Sequence, residues 1–152
     1  FSKETYINDI TRFDIWGIGS SNILERPIWG HGASSFPNHI NEMTGSWKGH
    51  AHNLPIELIY SFGLPAGFFI LIPFIYILFL SSRDIFLYKK YQNYGYIFDK
   101  AITISLLLLA FYHLFDMTYF DGRISIAGWI MFAAVKNILR EKNDRLILKG
   151  ND

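Results

Sequence analysis

The chain has 152 residues, of which 51% are hydrophobic and 18% aromatic, and its 14 basic residues nearly balance its 13 acidic ones. The absence of cysteine excludes disulfide bonds and thiolate zinc sites. Residues 58–80 contain no charged residue, and about 20 apolar residues suffice for a helix to cross the hydrocarbon of a bilayer. This concentration of apolar residues excludes an ordinary soluble domain and predicts an integral membrane protein.

The first part of the chain, residues 1–57, is polar and predicts an extramembrane segment. The chain starts without methionine, and neither a charged leader nor a cleavage site follows, so we expect that it begins inside a longer protein. Apolar residues recur here every three or four positions, which predicts one face of an amphipathic helix. The residues of this face are Tyr6, Ile10, Phe13 and Trp16.

A break follows this helix at Pro27, and Gly30 and Gly32 permit a tight turn. Three membrane spans are then predicted, over about 58–80, 101–119 and 124–139, with a kink near Pro73. Residues 140–152 form a basic tail. The expected fold is therefore an all-α integral membrane helical bundle fragment.

Positive charges give this bundle an orientation. Lysines and arginines cluster in the connector after the first span and again in the tail. With three spans both clusters lie on one side, and the positive-inside bias makes that side cytoplasmic. Residues 1–57 and the turn "YFDGR" are therefore expected on the extracytoplasmic face.

Two histidines, His50 and His52, stand directly before the first span. On an extended strand they would point to the same side and could bind a metal ion. The available third ligands are irregularly spaced, and none of them completes a known metal motif. They are His31, His39, Glu42 and Glu57.

His52 has two further interpretations. An imidazole with an unperturbed pKa near 6.5 can accept a proton from a hydroxyl at neutral pH, and Asn53 beside it could orient a sugar hydroxyl. Alternatively, His52 caps the first turn of the following helix and bonds to a loop carbonyl. Spacing alone favours the cap.

Charged residues suggest two other roles. Arg12 and Arg26 present planar guanidinium groups that fit phosphate oxygens, although each could also be a solvated residue on a helix. His113 and Asp116 fall inside the predicted second span, where ionisable groups are costly and are expected to face the bundle interior. Their role is open between architecture and function.

Several of these residues together resemble the O-antigen ligase and O-antigen polymerase family of bacterial membrane glycosyltransferases. An arginine with an aromatic residue four positions later precedes a proline–glycine turn, and a histidine–asparagine pair then precedes a glycine motif. The matching residues are Arg12, Trp16, Pro27, Gly30, Gly32, His52, Asn53 and Gly63, with Ala66 in place of the second motif glycine. The clear resemblance covers about residues 8–70.

The resemblance implies glycan transfer from an undecaprenyl-diphosphate carrier to a sugar hydroxyl at the periplasmic face of the bacterial inner membrane. The implied acceptor is lipid A core, another glycan or, in related oligosaccharyltransferases, a protein. It implies that His52 and Arg12 are catalytic, with Arg26, Asn53 and Glu57 as weaker candidates for substrate binding. Membrane lipid is an expected partner, whereas no metal, cofactor or nucleic acid is expected.

Two alternatives belong to other classes of protein. In a transporter or channel subunit, Asp116 and His113 would line a path. In a metal-dependent membrane hydrolase, His50, His52 and His31 would hold the ion.

Overall fold

The computed structural model describes the backbone of residues 10–87 and 94–149 and the side chains of residues 10–83 and 97–144. All regular structure in this part of the chain is helical, which confirms the predicted all-α class. The helices are α1 Arg12–Ile23, α2 Phe36–Thr44, α3 Leu54–Leu87, α4 Tyr94–Tyr112 and α5 Gly122–Lys149. They form two compact units. Of the described residues, the first unit holds 10–71 with His113–Met117, and the second holds 72–87, 94–112 and 118–149.

Two helical segments, Leu54–Arg83 and Gly122–Asp144, are long and apolar enough to cross a membrane. Only 11% and 6% of their apolar windows are buried, whereas the core helix of a soluble domain would be mostly buried. These segments support a membrane protein. The second of the three predicted spans, 101–119, remains a prediction as a span, and its helix α4 ends earlier, at Tyr112.

Helix α1 begins at Arg12 because Thr11 caps it. The Asp14 N–H donates to the Thr11 hydroxyl, and the Thr11 N–H donates to the Asp14 carboxylate, which together form a capping box. The predicted apolar face is wrong: Ile10 precedes the helix, Phe13 is 78% exposed, and Tyr6 lies outside the described residues. The residues that α1 buries are Ile15, Gly19, Asn22 and Ile23.

The core of the first unit joins α1, α2 and the start of α3. Helix α2, which the sequence analysis did not anticipate, contributes Phe36 and Ile40, each at most 1% exposed. They pack with Ile15 and Tyr60, and burial of side chains of this size contributes about 1.5–3 kcal/mol each. This core fixes the N-terminal end of α3 relative to α1.

Helix α3 loses helical dihedrals at Gly63, where φ is +83°, and not at Pro73, where the kink was predicted. The turn over residues 27–32 lies against this break. The N–H groups of His31 and Gly32 donate to the carbonyls of Tyr60 and Ser61, and the Leu64 N–H donates to the Pro27 carbonyl. The backbone groups that the broken helix leaves unpaired therefore find partners in the turn.

Close approach between the turn and α3 requires glycine on both sides. A Cβ on Gly30 would lie 2.6 Å from backbone atoms of Gly63 and Ser61, and a Cβ on Gly63 would overlap the Ile28 carbonyl. Gly30 and Gly32 also have positive φ, as the predicted tight turn requires.

In the second unit, α4 packs against α5. Gly128 faces Leu109, and a Cβ on this glycine would lie 3.1 Å from the leucine side chain. The ring of Phe74 stacks on Phe132 with centroids 5.2 Å apart. Small residues and stacked rings thus hold the apolar helices of this unit together.

Candidate active site

The loop over residues 49–53 meets the connection His113–Met117 within the first unit. The Leu54 N–H donates to the His113 carbonyl at 2.9 Å, and the Asn53 side-chain amide donates to the Leu114 carbonyl at 2.9 Å. The rings of Trp16 and Phe115 lie 6.3 Å apart. These contacts attach the chain after α4 to the N-terminal end of α3.

His52 and Asp116 form the central contact of the site. Nδ1 of His52 donates to Oδ1 of Asp116 at 3.0 Å, because an ionised carboxylate can only accept. The bond leaves the lone pair of the neutral imidazole on Nε2. The two side chains are 25% and 29% exposed, so they are shielded but reachable from solvent.

Arg12, at the first position of α1, lies on the other oxygen of the same carboxylate. Its Nη2 is 3.8 Å from Oδ2 of Asp116, and its side chain is 54% exposed. An exposed ion pair at this distance contributes little to stability, roughly 0–1 kcal/mol. Most of the guanidinium therefore stays available to an anion in solution.

Asp116 is stabilised in its charged form. The hydrogen bond from His52 lowers the pKa of this carboxyl, and burial, the next largest influence, raises it. The Met117 N–H and the charges of His52 and Arg12 lower the pKa further, so that the net change is a decrease. The carboxylate is consequently ionised across the neutral range. A fixed anion at Nδ1 is what stabilises an imidazolium when Nε2 accepts a proton.

His50 is kept in its neutral form. Burial lowers its pKa, and the neighbouring His52 and Arg12 lower it as well, while Asp116 opposes them. Nδ1 of His50 accepts a hydrogen bond from the His52 N–H at 3.2 Å, and the two rings contact edge to face at 4.3 Å. The two histidines are therefore distinct: His52 faces the carboxylate, and His50 supports the backbone of His52.

The helix cap is formed by Asn53 and not by His52. Oδ1 of Asn53 accepts from the Ile56 N–H at 3.0 Å, the usual cap interaction with the first turn. The alternative in which His52 caps α3 through a loop carbonyl is wrong, because Nδ1 of His52 bonds to a carboxylate. Both ends of the Asn53 amide thus make contacts within the protein.

Glu57 and Arg26 lie away from the ion pair. Glu57 is 5% exposed, and its carboxylate accepts from the Ala51 N–H at 2.9 Å and from the Ser61 hydroxyl at 3.4 Å. Arg26 is exposed in the turn after α1, and its carbonyl accepts from the Gly30 N–H. Of the predicted site residues, the structure brings Arg12, His52 and Asn53 to the connection that carries Asp116.

One group among the described residues could hold a metal ion: the ligand atoms of His50, His52 and Asp116 lie within 4.8 Å of one another. His31 does not complete this group. Its Nε2 donates to the Asn22 carbonyl at 2.8 Å, and its ring stacks on Tyr60 at 4.4 Å. A metal ion in the group would bind the same Asp116 carboxylate that His52 and Arg12 contact.

Asp116 is the residue of the candidate site that the sequence pattern does not assign to it. It was placed inside a membrane span together with His113, whereas α4 ends at Tyr112 and both residues lie in the connection that follows. The signal was present, because an ionisable residue in so apolar a region suggests function. Its partner could not be identified, because 64 residues separate His52 from Asp116.

This arrangement can do three things chemically. Nε2 of His52 can accept a proton from a hydroxyl, Asp116 can stabilise the resulting imidazolium, and Arg12 can bind an anionic oxygen. His52 and Arg12 both contact the Asp116 carboxylate. Such a set suits the transfer of a group from an anionic leaving group to a hydroxyl.

Comparison with known proteins gives one finding. Residues 2–71 match the family model described as O-antigen ligase. The matched part includes all five predicted site residues and ends before Asp116. Neither the curated proteins nor the solved structures gave a match.

Proposed function

The chain is O-antigen ligase-like over residues 2–71, and on that premise we propose that it transfers a glycan from an undecaprenyl-diphosphate carrier to a sugar hydroxyl. The acceptor is lipid A core or another glycan. The reaction takes place at the periplasmic face of the bacterial inner membrane, where the polyprenyl tail of the donor stays in lipid while its diphosphate reaches water-side groups.

The observation that carries the proposal is the shared carboxylate of Asp116, with His52 on one oxygen and Arg12 near the other. Nε2 of His52 takes the proton of the acceptor hydroxyl as the acceptor oxygen bonds to the anomeric carbon. The bond from that carbon to the diphosphate oxygen breaks, and its electron pair stays on the diphosphate. The proton held by the imidazolium is then released to solvent or to the leaving group.

Arg12 has the matching role on the leaving group. The departing diphosphate gains negative charge, and a guanidinium stabilises this charge through paired N–H donors. Because Arg12 is half exposed and held by a long ion pair, it can turn to the diphosphate without breaking a short hydrogen bond. Arg26, exposed in the adjacent turn, is a weaker candidate for contact with the same donor.

The test replaces these residues in the full-length protein and scores long glycan chains on gels at matched expression. We expect His52→Ala and Arg12→Ala to abolish the ladder, whereas Arg140→Ala, an exposed arginine near the end of α5, leaves it unchanged. Ladders like that of the wild type from both site variants would refute the proposal. Initial rates on a purified polyprenyl-diphosphate glycan then separate donor binding from the chemical step.

A further inference from the structure

The peptide groups of Ala51, between the two histidines, are held on both sides. Its N–H donates to Oε2 of Glu57 at 2.9 Å, and its carbonyl accepts from the Trp16 indole N–H at 3.0 Å. Ala51 itself is fully buried. Side chains from α1 and α3 thus hold the two peptide groups that flank the Cα of Ala51.

The next residue needs such support. His52 has φ of +52°, in the left-handed region that residues with a Cβ rarely adopt. A conformation of this kind persists only where its surroundings determine it more strongly than local preference does. The hydrogen bond from the His52 N–H to His50 is long, at 3.2 Å. The two shorter hydrogen bonds on Ala51 therefore restrain the backbone next to His52 more strongly.

Glu57 is oriented for this role and not for contact with a ligand. It lies in the first turn of α3, it is 5% exposed, and each oxygen receives a hydrogen bond from inside the protein. A buried N–H without an acceptor is costly, so removal of the carboxylate would force the Ala51 peptide to move. That movement would carry the imidazole of His52 away from Asp116.

We propose that Glu57 is a positioning residue, which acts with Trp16 through the two peptide groups of Ala51 to hold His52 in its left-handed conformation. The inference rests on the proposed role of His52. Neither Glu57 nor Trp16 touches the reacting atoms. The chemistry they support is proton acceptance by Nε2, which depends on the direction of the imidazole.

The experiment measures kcat and KM for the lipid-linked donor in the full-length protein. We expect Glu57→Ala to lower kcat about tenfold to a hundredfold with KM changed less than about twofold, because a small misplacement of a catalytic group affects the chemical step. Glu57→Gln keeps an acceptor oxygen for the Ala51 N–H and should retain kcat within about threefold. Trp16→Phe removes the opposite hydrogen bond and should also lower kcat.

Ser61→Ala is the matched control, because it removes the other hydrogen bond to the same carboxylate and leaves the loop contact in place. It should retain kcat. Thermal unfolding in detergent identifies variants that fail to fold. If Glu57→Ala fails to fold, the two single variants Trp16→Phe and Glu57→Gln test the positioning role instead.

Three results would overturn the inference. The first is wild-type kcat in folded Glu57→Ala or Trp16→Phe, and the second is a raised KM at unchanged kcat in Glu57→Ala, which would make Glu57 a substrate contact. The third is a kcat for Glu57→Gln as low as that for Glu57→Ala. The failure of the proposed function would be separate, because it would appear as activity in His52→Ala.

Discussion

Asp116 determines which nitrogen of His52 carries the proton, so its replacement tests the site directly. Asp116→Asn removes the fixed charge and can donate from its own amide to the ring, which favours the wrong tautomer. We expect the rate of glycan transfer to fall by about two to four orders of magnitude. The control is Asp121→Asn, which replaces an aspartate that is paired with Arg123. This variant should transfer glycan at the wild-type rate. Equal rates for the two variants would contradict the role of Asp116.

The charge state of His50 gives a second prediction, for which the sign can be worked out. Its pKa is lowered from an ordinary 6.5, so the folded protein keeps His50 neutral where the unfolded chain would protonate it. The free energy of unfolding should therefore decrease as the pH falls below about 6.5. His52→Ala removes a neighbour that lowers this pKa and should raise it, whereas Asp116→Asn should lower it further. NMR titration of the histidine rings measures the pKa of His50 in both variants. A lowered pKa in His52→Ala or a raised pKa in Asp116→Asn would contradict the prediction.

Metal dependence is testable on the same cluster. His50, His52 and Asp116 are close enough to bind an ion, but catalysis as proposed uses the imidazole and the carboxylate that would be its ligands. We expect activity to survive exhaustive chelation, and added Zn²⁺ to inhibit because it would occupy the His52 imidazole and the Asp116 carboxylate. Activity lost on chelation and restored by Zn²⁺ would instead indicate a metal enzyme.

Local pattern identified Arg12 and His52 but not the residue that connects them. Each belongs to a short motif that can be compared along the sequence, and the structure brings them to one carboxylate. Asp116 belongs to no such motif and joins the site only through the fold. The burial of Glu57 could not be predicted from the sequence either, because a glutamate in the first turn of an apolar helix is also typical of a polar group at the membrane surface.

At the scale of elements, the sequence predicted the apolar helices more accurately than their interruptions. The Pro73 kink was predicted because proline removes a helical hydrogen bond. The break instead falls at Gly63, where the turn over residues 27–32 supplies partners for the free backbone groups. Such a break depends on a tertiary contact, which local propensity does not encode. The apolar face of α1 was misjudged similarly, because the capping box at Thr11 sets where the helix starts.

Gly63 therefore carries a prediction about the fold. Gly63→Ala places a Cβ at positive φ and against the Ile28 carbonyl, so both the dihedral and the contact must change. We expect the free energy of unfolding to fall by about 2 kcal/mol or more. Gly17→Ala is the control, since this helical glycine in α1 has open space around it, and alanine should be neutral or stabilise by up to about 1 kcal/mol. Similar thermal unfolding midpoints for the two variants would contradict the expected requirement for glycine at position 63.

At the scale of the whole molecule, the orientation in the membrane rests on charge. The basic residues after the first predicted span and in the tail predict a cytoplasmic side, which leaves the His52 loop in the periplasm. Residues 1–152 contain no cysteine, so a single cysteine introduced there adds one defined thiol, and the protein without it gives the labelling background. Glu42→Cys, exposed in α2, should react with a membrane-impermeant maleimide in cells with a permeabilised outer membrane, and Arg140→Cys only after the inner membrane is opened. With only the outer membrane permeabilised, labelling of Arg140→Cys or protection of Glu42→Cys would reverse the orientation and remove the site from the face where the lipid-linked donor is expected.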